Sequence, residues 1–143
     1  VDASGKHGLV AATSDQEENN WEDCNFQSCG TLITGASGTA VGTGAQNTLD
    51  IVAGYGANKL IAGTVCDKLN FAGYDDWFLP SKDELLLMYQ YKDLIGGGKL
   101  SSDTYWSSSQ ASNNQAYVVD FSAGDSGKEY KVYNHGIRAA RAF

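Results

Sequence analysis

Tyr105-Trp106-Ser107-Ser108-Ser109 opens the last segment of this chain, and Ile137-Arg138-Ala139-Ala140-Arg141-Ala142-Phe143 closes it. Both ends read as strands that a core would dictate. Between them lie mostly small, polar or aromatic residues, among them Ala111, Ser112, Asn113, Asn114, Ser122, Ala123, Asp125, Gly127, Tyr130, Tyr133, Asn134 and His135. A constrained frame around a middle of this composition is the pattern of a binding surface on a scaffold. Tyr supplies rigid contact area, and small residues adapt to what they meet.

Within that segment the pattern alternates. Tyr117, Val119 and Phe121 point one way and form a core face, while Ala116, Val118 and Asp120 form a mixed face. A slip in register would bury Asp120. Ser122 to Gly124 reads as a turn, Lys128 to Tyr133 as the returning strand, Asn134-His135-Gly136 as a second turn and Ile137 to Phe143 as the final strand. The first half reads as helical. Asn47 is placed to cap a short helix through Ala53, and Ile61, Val65 and Leu69 mark a second helix within Ala57 to Asn70. Ser81 and Glu84 form a capping box after Pro80. Leu87, Met88, Tyr91, Leu94 and Ile95 share a face of that third helix, and Gly96-Gly97-Gly98 stops it. Trp77-Phe78-Leu79 reads as a short buried strand. Asp2 to Gly5 reads as a turn into a strand from Leu9 to Ala12. A helical half followed by antiparallel strands is an α+β domain.

Composition bounds the function. The chain has 143 residues, 42% of them hydrophobic, and a net charge of −7. That is enough to build one core and too apolar for disorder. Nucleic acid is excluded as a partner, because phosphate binding needs a basic face. The longest apolar run, Leu85-Leu86-Leu87-Met88, is far short of a membrane span, so the protein is not expected to be integral to a membrane. Cys24 and Cys29 are close enough to pair if their loop turns back. Pairing either with Cys66 is the other possibility, and three free thiols in a cytosolic protein is the third. Cys24–Cys29 is the expected bridge, in an extracellular, cell-surface or virion-exposed protein.

The chain resembles the Lcl C-terminal family, whose fold is C-type-lectin-like. The resemblance rests on five runs: Gly5 to Ala12, Gly38 to Gly44, Gly73-Tyr74-Asp75-Asp76-Trp77-Phe78-Leu79-Pro80-Ser81-Lys82-Asp83-Glu84-Leu85, Tyr105 to Ser109, and Ile137 to Phe143. It implies one lectin-like domain over 1–143 with antiparallel sheets and two to three helices. The resemblance also leads one to expect that the family's first strand is missing before Val1, or that the domain is cut from a longer chain. Within this fold the sequence is also similar to the variable proteins of diversity-generating retroelements, which end in a similar Arg-Ala-x-Arg-Ala-Phe strand. Their diversification replaces adenines, often in Asn codons. Codons of that kind ending in a pyrimidine yield Asn, Ser, Gly, Asp, Tyr, His, Val or Ala, but not Lys, Glu or Gln. Ala111, Ser112, Val118, Asp120, Ser122, Ala123, Asp125, Gly127, Tyr130, Val132, Tyr133, His135 and Gly136 belong to the permitted set. Lys128, Glu129 and Lys131 do not.

The resemblance implies a working site. Outward side chains from Val118 to Gly136 form one exposed face, with Tyr130 and Tyr133 as aromatic anchors. Asp120, Asp125, Ser122 and His135 supply polar contacts to a protein target or cell-surface ligand, while Trp77, Trp106, Tyr117 and Phe121 form the core. No cofactor is expected. The Glu-Pro-Asn and Trp-Asn-Asp sugar motifs of calcium-dependent lectins are absent, so no calcium-dependent sugar site is expected. The acidic run Glu17 to Asp23 reads as a solvated loop, and Asp75 and Asp76 as loop braces. His7 and His135 have no motif partner, no Gly-x-Ser-x-Gly elbow surrounds a serine, and the glycines from Gly35 to Gly44 lack a Walker lysine. The chain is therefore expected to recognise a ligand without chemistry. The other readings are a surface adhesin whose face is not diversified, and, third, an enzyme on the same scaffold.

Overall fold

Pairing of Tyr105 with both Val119 and Gly136 places the Tyr105–Ser109 run at the centre of the molecule. The computed structural model describes residues 6–24, 29–95, 100 and 103–143. Among these residues the order is β1 (Leu9–Ala11), β2 (Gln16–Asn19), α1 (Gly44–Tyr55), α2 (Ala62–Asp67), α3 (Lys82–Gln90), α4 (Lys92–Ile95), β3 (Thr104–Gln110), β4 (Gln115–Asp120), β5 (Asp125–Tyr130), β6 (His135–Ile137) and β7 (Ala140–Ala142). One sheet runs β2-β6-β3-β4-β5, and β1 pairs with β7 in a second. The fold is thus mixed α+β, with four helices and two sheets.

Two hydrophobic cores flank the larger sheet. Trp106, Ala116 and Val118 pack with Trp21, Ile51, Ile61, Trp77 and Leu79 on one side. Tyr105, Val119 and Phe121 pack with Leu85, Met88 and Leu100 on the other. Both faces of β4 are therefore covered. This corrects the expected mixed face, because Val118 is a core residue directly opposite Trp106. Tyr117, expected in the core, is half-buried.

Other boundaries move for local reasons. Asn47 does not cap α1, which begins at Gly44. Its amide instead clasps Gly38, accepting from Gly38 N–H at 3.2 Å and donating to Gly38 O at 2.7 Å. The second helix shrinks to α2, since residues 57–60 turn instead. The capping box stands as expected: Ser81 N–H donates to Glu84 Oε2 at 2.7 Å, and Glu84 N–H donates to Ser81 Oγ at 3.3 Å. The helix it starts ends at Gln90, however, and Leu94 on α4 is 84% exposed. The Gly96–Gly98 stop and the Asp2–Gly5 turn lie outside the described residues. Trp77-Phe78-Leu79 makes only a bridge, Phe78 to Ala140.

Three further corrections concern strands. Gln16–Asn19, which overlaps the supposed acidic loop Glu17 to Asp23, is an edge strand, and the Trp21 and Glu22 that follow it are buried. The strand after the turn is Asp125–Tyr130, not 128–133. The final strand is split in two at Arg138-Ala139, and β6 runs parallel to β3 where an antiparallel sheet was expected. The split has a visible cause: the buried Arg138 turns inward, donating to Ala12 O at 2.8 Å and to Asp15 Oδ1 at 2.6 Å. Charge-assisted bonds of this kind are roughly twice as strong as neutral ones.

Candidate functional site

Among the described residues, β5 lies at the open edge of the sheet, paired only with β4. Its six residues are exposed except for the half-buried Glu129. The turn that leads into it is built by Asp120, whose Oδ1 accepts from Ser122 N–H at 2.7 Å and from Ser122 Oγ at 2.6 Å. Those bonds, the hydroxyl first, hold the Asp120 carboxyl below its usual range. Ser122 and Ala123 sit exposed on the turn. Gly124 has φ +82° and lies against the Tyr89 ring, so a side chain there would meet both strain and a clash.

At the other end of β5, Tyr130 and Tyr133 are 48% and 44% exposed. Their rings meet edge to face at 5.9 Å. Tyr133 N–H donates to Tyr130 O at 3.0 Å, which fixes the second ring beside the first. Ala111 and Ser112 lie in the neighbouring β3–β4 turn and are half-buried; Ser112 Oγ accepts from Gln115 N–H at 3.1 Å and donates to Asn114 Oδ1 at 2.9 Å. Val132 is half-buried.

The expected single face divides in two. In antiparallel pairing, directly opposed residues share a face. Asp125, Gly127 and Glu129 oppose Asp120, Val118 and Ala116, on the side of the Trp106 core. Ser126, Lys128 and Tyr130 oppose Val119, Tyr117 and Gln115, on the side of the Phe121 core. Two candidates are buried, and a third is packed against the core. Val118 is 5% exposed. Gly136 is buried against Tyr105, where a Cβ would stand 3.0 Å from the ring. His135 is half-buried, edge to face with Trp106 at 4.8 Å, and burial pushes its imidazole below the ordinary range despite Glu129 and Glu18 nearby. A pyrimidine-codon filter selects residue type and carries no information on burial, so it admitted all three.

It also passed over residues the structure brings forward. Lys128 is exposed and leans over the Tyr117 ring at 5.6 Å, beside Tyr130 on the same face. Lys131 is fully buried. Its Nζ donates to Thr31 O at 2.8 Å and to Gln110 Oε1 at 2.7 Å, and sits 4.4 Å from the centre of the Trp21 ring. Burial pushes the ammonium down to about 8, with Glu22 opposing. The Gln110 amide also brackets Ile33, and Glu22 accepts from Gly30 and Thr31 N–H at 3.2 Å each. These side chains pin the chain that leaves the Cys24–Cys29 disulfide, which is formed, while Cys66 is a buried free thiol. Nothing in the local sequence hinted that Lys131, just past β5, turns inward.

Elsewhere the braces are structural. Asp76 takes a bidentate pair from Arg141 at 2.7 and 2.8 Å, and that guanidinium stacks on Tyr74 at 3.8 Å. Among the described residues no group of three or more His, Cys, Asp or Glu converges to hold a metal ion, and no helix is long and apolar enough to cross a membrane. Comparison with known families matches the Lcl C-terminal domain over residues 12–141, nearly the whole chain. No curated protein matches.

Proposed function

The chain belongs to the Lcl C-terminal domain family, and on that premise we propose that it is a recognition module that binds a protein target or cell-surface ligand without chemistry. One observation carries the reading. Two tyrosines stand nearly half exposed in mutual contact on a sheet edge whose backbone is anchored through β4 to two cores. Aromatic anchors of this kind, low in conformational entropy, dominate binding surfaces. The fold we assign is C-type-lectin-like, and the place of action extracellular, on a cell surface or a virion. The Cys24–Cys29 bridge supports an oxidising compartment.

The finer reading is a surface diversified by a retroelement, with Ser122, Ala123, Asp125, Gly127, Tyr130 and Tyr133 as the exposed positions of permitted type. A second reading is a surface adhesin that is not diversified. It is favoured by Lys128 and Glu129, which lie on β5 yet fall outside the pyrimidine-codon set. The nucleotide sequence flanking the gene separates the two. An imperfect second copy of the segment ending at Phe143, differing only at adenines and adjoining a reverse transcriptase gene, is the result expected of diversification. Its absence rejects diversification and leaves the adhesin.

A further inference from the structure

We infer that the free edge of β5 receives an extended segment of a partner protein as a sixth strand, and that this segment carries basic side chains four residues apart around one bulky apolar residue. The inference rests on the recognition reading above and names how that site would hold its partner.

The main-chain argument comes first. Lys131 N–H donates to Asn114 O at 3.0 Å. By the alternation of antiparallel ladders, Asp125, Gly127 and Glu129 then turn their main-chain groups toward β4, and Ser126, Lys128 and Tyr130 turn theirs outward. The outward carbonyl of Tyr130 accepts from Tyr133 N–H at 3.0 Å, as this phase requires. Ser126 and Lys128 therefore present two N–H and two C=O groups along an exposed edge, closed at one end by the tyrosine pair. An unpaired edge of this kind is a template for strand addition.

Charge selects the occupant. Asp125 stands directly opposite Asp120, so two carboxylates lie side by side on one face. Glu129 lies on the same face two positions beyond Gly127, and among the described residues none of the three makes an ion pair. An incoming strand would place residues opposite Asp125 and Glu129, four positions apart, on this face. Arg or Lys at both would pair with carboxylates that have no cation of their own among the described residues. Between them, Gly127 leaves open space over Val118, its nearest neighbour at 3.8 Å from an added Cβ. A bulky apolar residue there would cover the core.

A second copy of the chain does not fit. Around a two-fold axis, antiparallel β5 strands can oppose only residues of the same face. The two registers with most overlap set Glu129 against Asp125, or Lys128 against Lys128. Both put like charges directly across from each other.

The probe is a fluorescent seven-residue peptide of threonines, with arginine at positions two and six and phenylalanine at four. It is titrated against the whole chain by anisotropy. Saturable binding is expected. N-methylation at positions three and five, whose N–H groups would face β5, should weaken it by about tenfold or more, from loss of two hydrogen bonds. N-methylation at position four, whose N–H faces away, should leave it largely intact. Ser126→Pro removes an outward donor without touching the β4 ladder, a substitution that edge strands tolerate. It should abolish binding while the melting temperature holds. No binding by the wild type, equal binding of both methylated peptides, or unaltered binding by Ser126→Pro would each overturn strand addition. A random heptapeptide display library, panned in parallel, separates this failure from the larger one. Ligands lost on Tyr130→Ala/Tyr133→Ala but retained by Ser126→Pro overturn strand addition and leave recognition standing. A library that yields nothing overturns both.

Discussion

Trp106→Ala and the double change Tyr130→Ala/Tyr133→Ala should separate scaffold from surface. Trp106 is fully buried, donates from Nε1 to Asn19 O at 3.0 Å, and meets His135 edge to face. Its truncation removes transfer energy and leaves a cavity, about 3–5 kcal/mol for an aromatic-to-alanine change. Loss of the partner for Asn19 O adds roughly 1 kcal/mol or more. Against a total stability of about 5–15 kcal/mol, that is a large fraction. A chain of this size converts each kcal/mol into roughly 3–5 °C of melting temperature, so a fall on the order of 15 °C is expected. The tyrosines lose their mutual contact, about 0.5–1.5 kcal/mol, and part of an already half-exposed area. Their combined cost should stay near 2 kcal/mol, a fall below roughly 10 °C. Both variants are melted by calorimetry or near-ultraviolet dichroism alongside the wild type. A tyrosine double variant as damaged as Trp106→Ala would mean the rings are core, and the surface assignment would be wrong. A Trp106→Ala protein that melts like the wild type would refute the two-core account of β3 and β4.

Gly44→Ala tests packing against propensity. Helix propensity alone predicts a gain, at this first helical position smaller than the interior value of about 1 kcal/mol, but a Cβ here would meet Ser81 N at 2.8 Å, Phe78 Cε2 at 2.9 Å and the Glu84 carboxylate. A net loss of about 1–3 kcal/mol is expected in urea titration, and a gain would refute the contact. Replacing both Cys24 and Cys29 with Ser should cost about 2 kcal/mol, the loop entropy of so short a ring; an unchanged midpoint would mean the loop is ordered by Glu22 and Lys131 alone. His135 should titrate below 6.5 by NMR. Its folded value is depressed, so the unfolded chain takes up the proton first. The stability it contributes is complete above about 6.5 and is lost as pH falls toward the folded value. A His135→Phe variant should flatten that acid slope, and an imidazole midpoint above 6.5 would contradict its burial on Trp106.

Much of the frame was legible because it is written in strong local signals. Ser81 and Glu84 announced α3, and the Tyr105-Trp106-Ser run announced β3. The turn at Ser122–Gly124 is where small residues placed it. What could not be read is what depends on distant partners. Alternation along β4 indicated one core face, yet the Trp106 core takes up the other, so Val118 is buried despite its neighbour Asp120. Glu17 and Glu18 looked like a solvated loop because nothing local reveals that Gln16 pairs with Ile137. Lys131 looked like one more exposed charge; its burial requires Thr31, Gln110 and Trp21, the nearest of them 21 residues away. The tyrosine pair was found as residues, but not its face, because face follows from register, and register from the β4 partner.

The buried polar side chains explain how the edge strand can vary without unfolding the rest. Ser107, Ser108 and Ser109 are fully buried on β3, and their hydroxyls tie it to β4, to α1 and to the loop at Gly38. Ser107 Oγ donates to Tyr117 O at 2.7 Å, Ser109 Oγ donates to Gly38 O at 2.7 Å, and Ser108 Oγ accepts from Asn47 Nδ2 at 3.2 Å. Gln110, Lys131 and Arg138 do the same for residues 31–33 and for Ala12 and Asp15. Long irregular segments are thus tied to β3 and its flanks by side chains that a hydrophobic core alone could not supply, and leaving any one partner unmet would cost about 1–3 kcal/mol. None of these ties runs through a β5 side chain. β5 hangs on the β4 ladder by its backbone, and its side chains meet solvent on both faces. Away from the Tyr130–Tyr133 contact, substitution there costs the few tenths of a kcal/mol typical of surfaces, whereas the same change at Ser109 or Lys131 would release a loop. That asymmetry suits the recognition surface proposed for β5 and its turn, and Val118, His135 and Gly136 fall outside it.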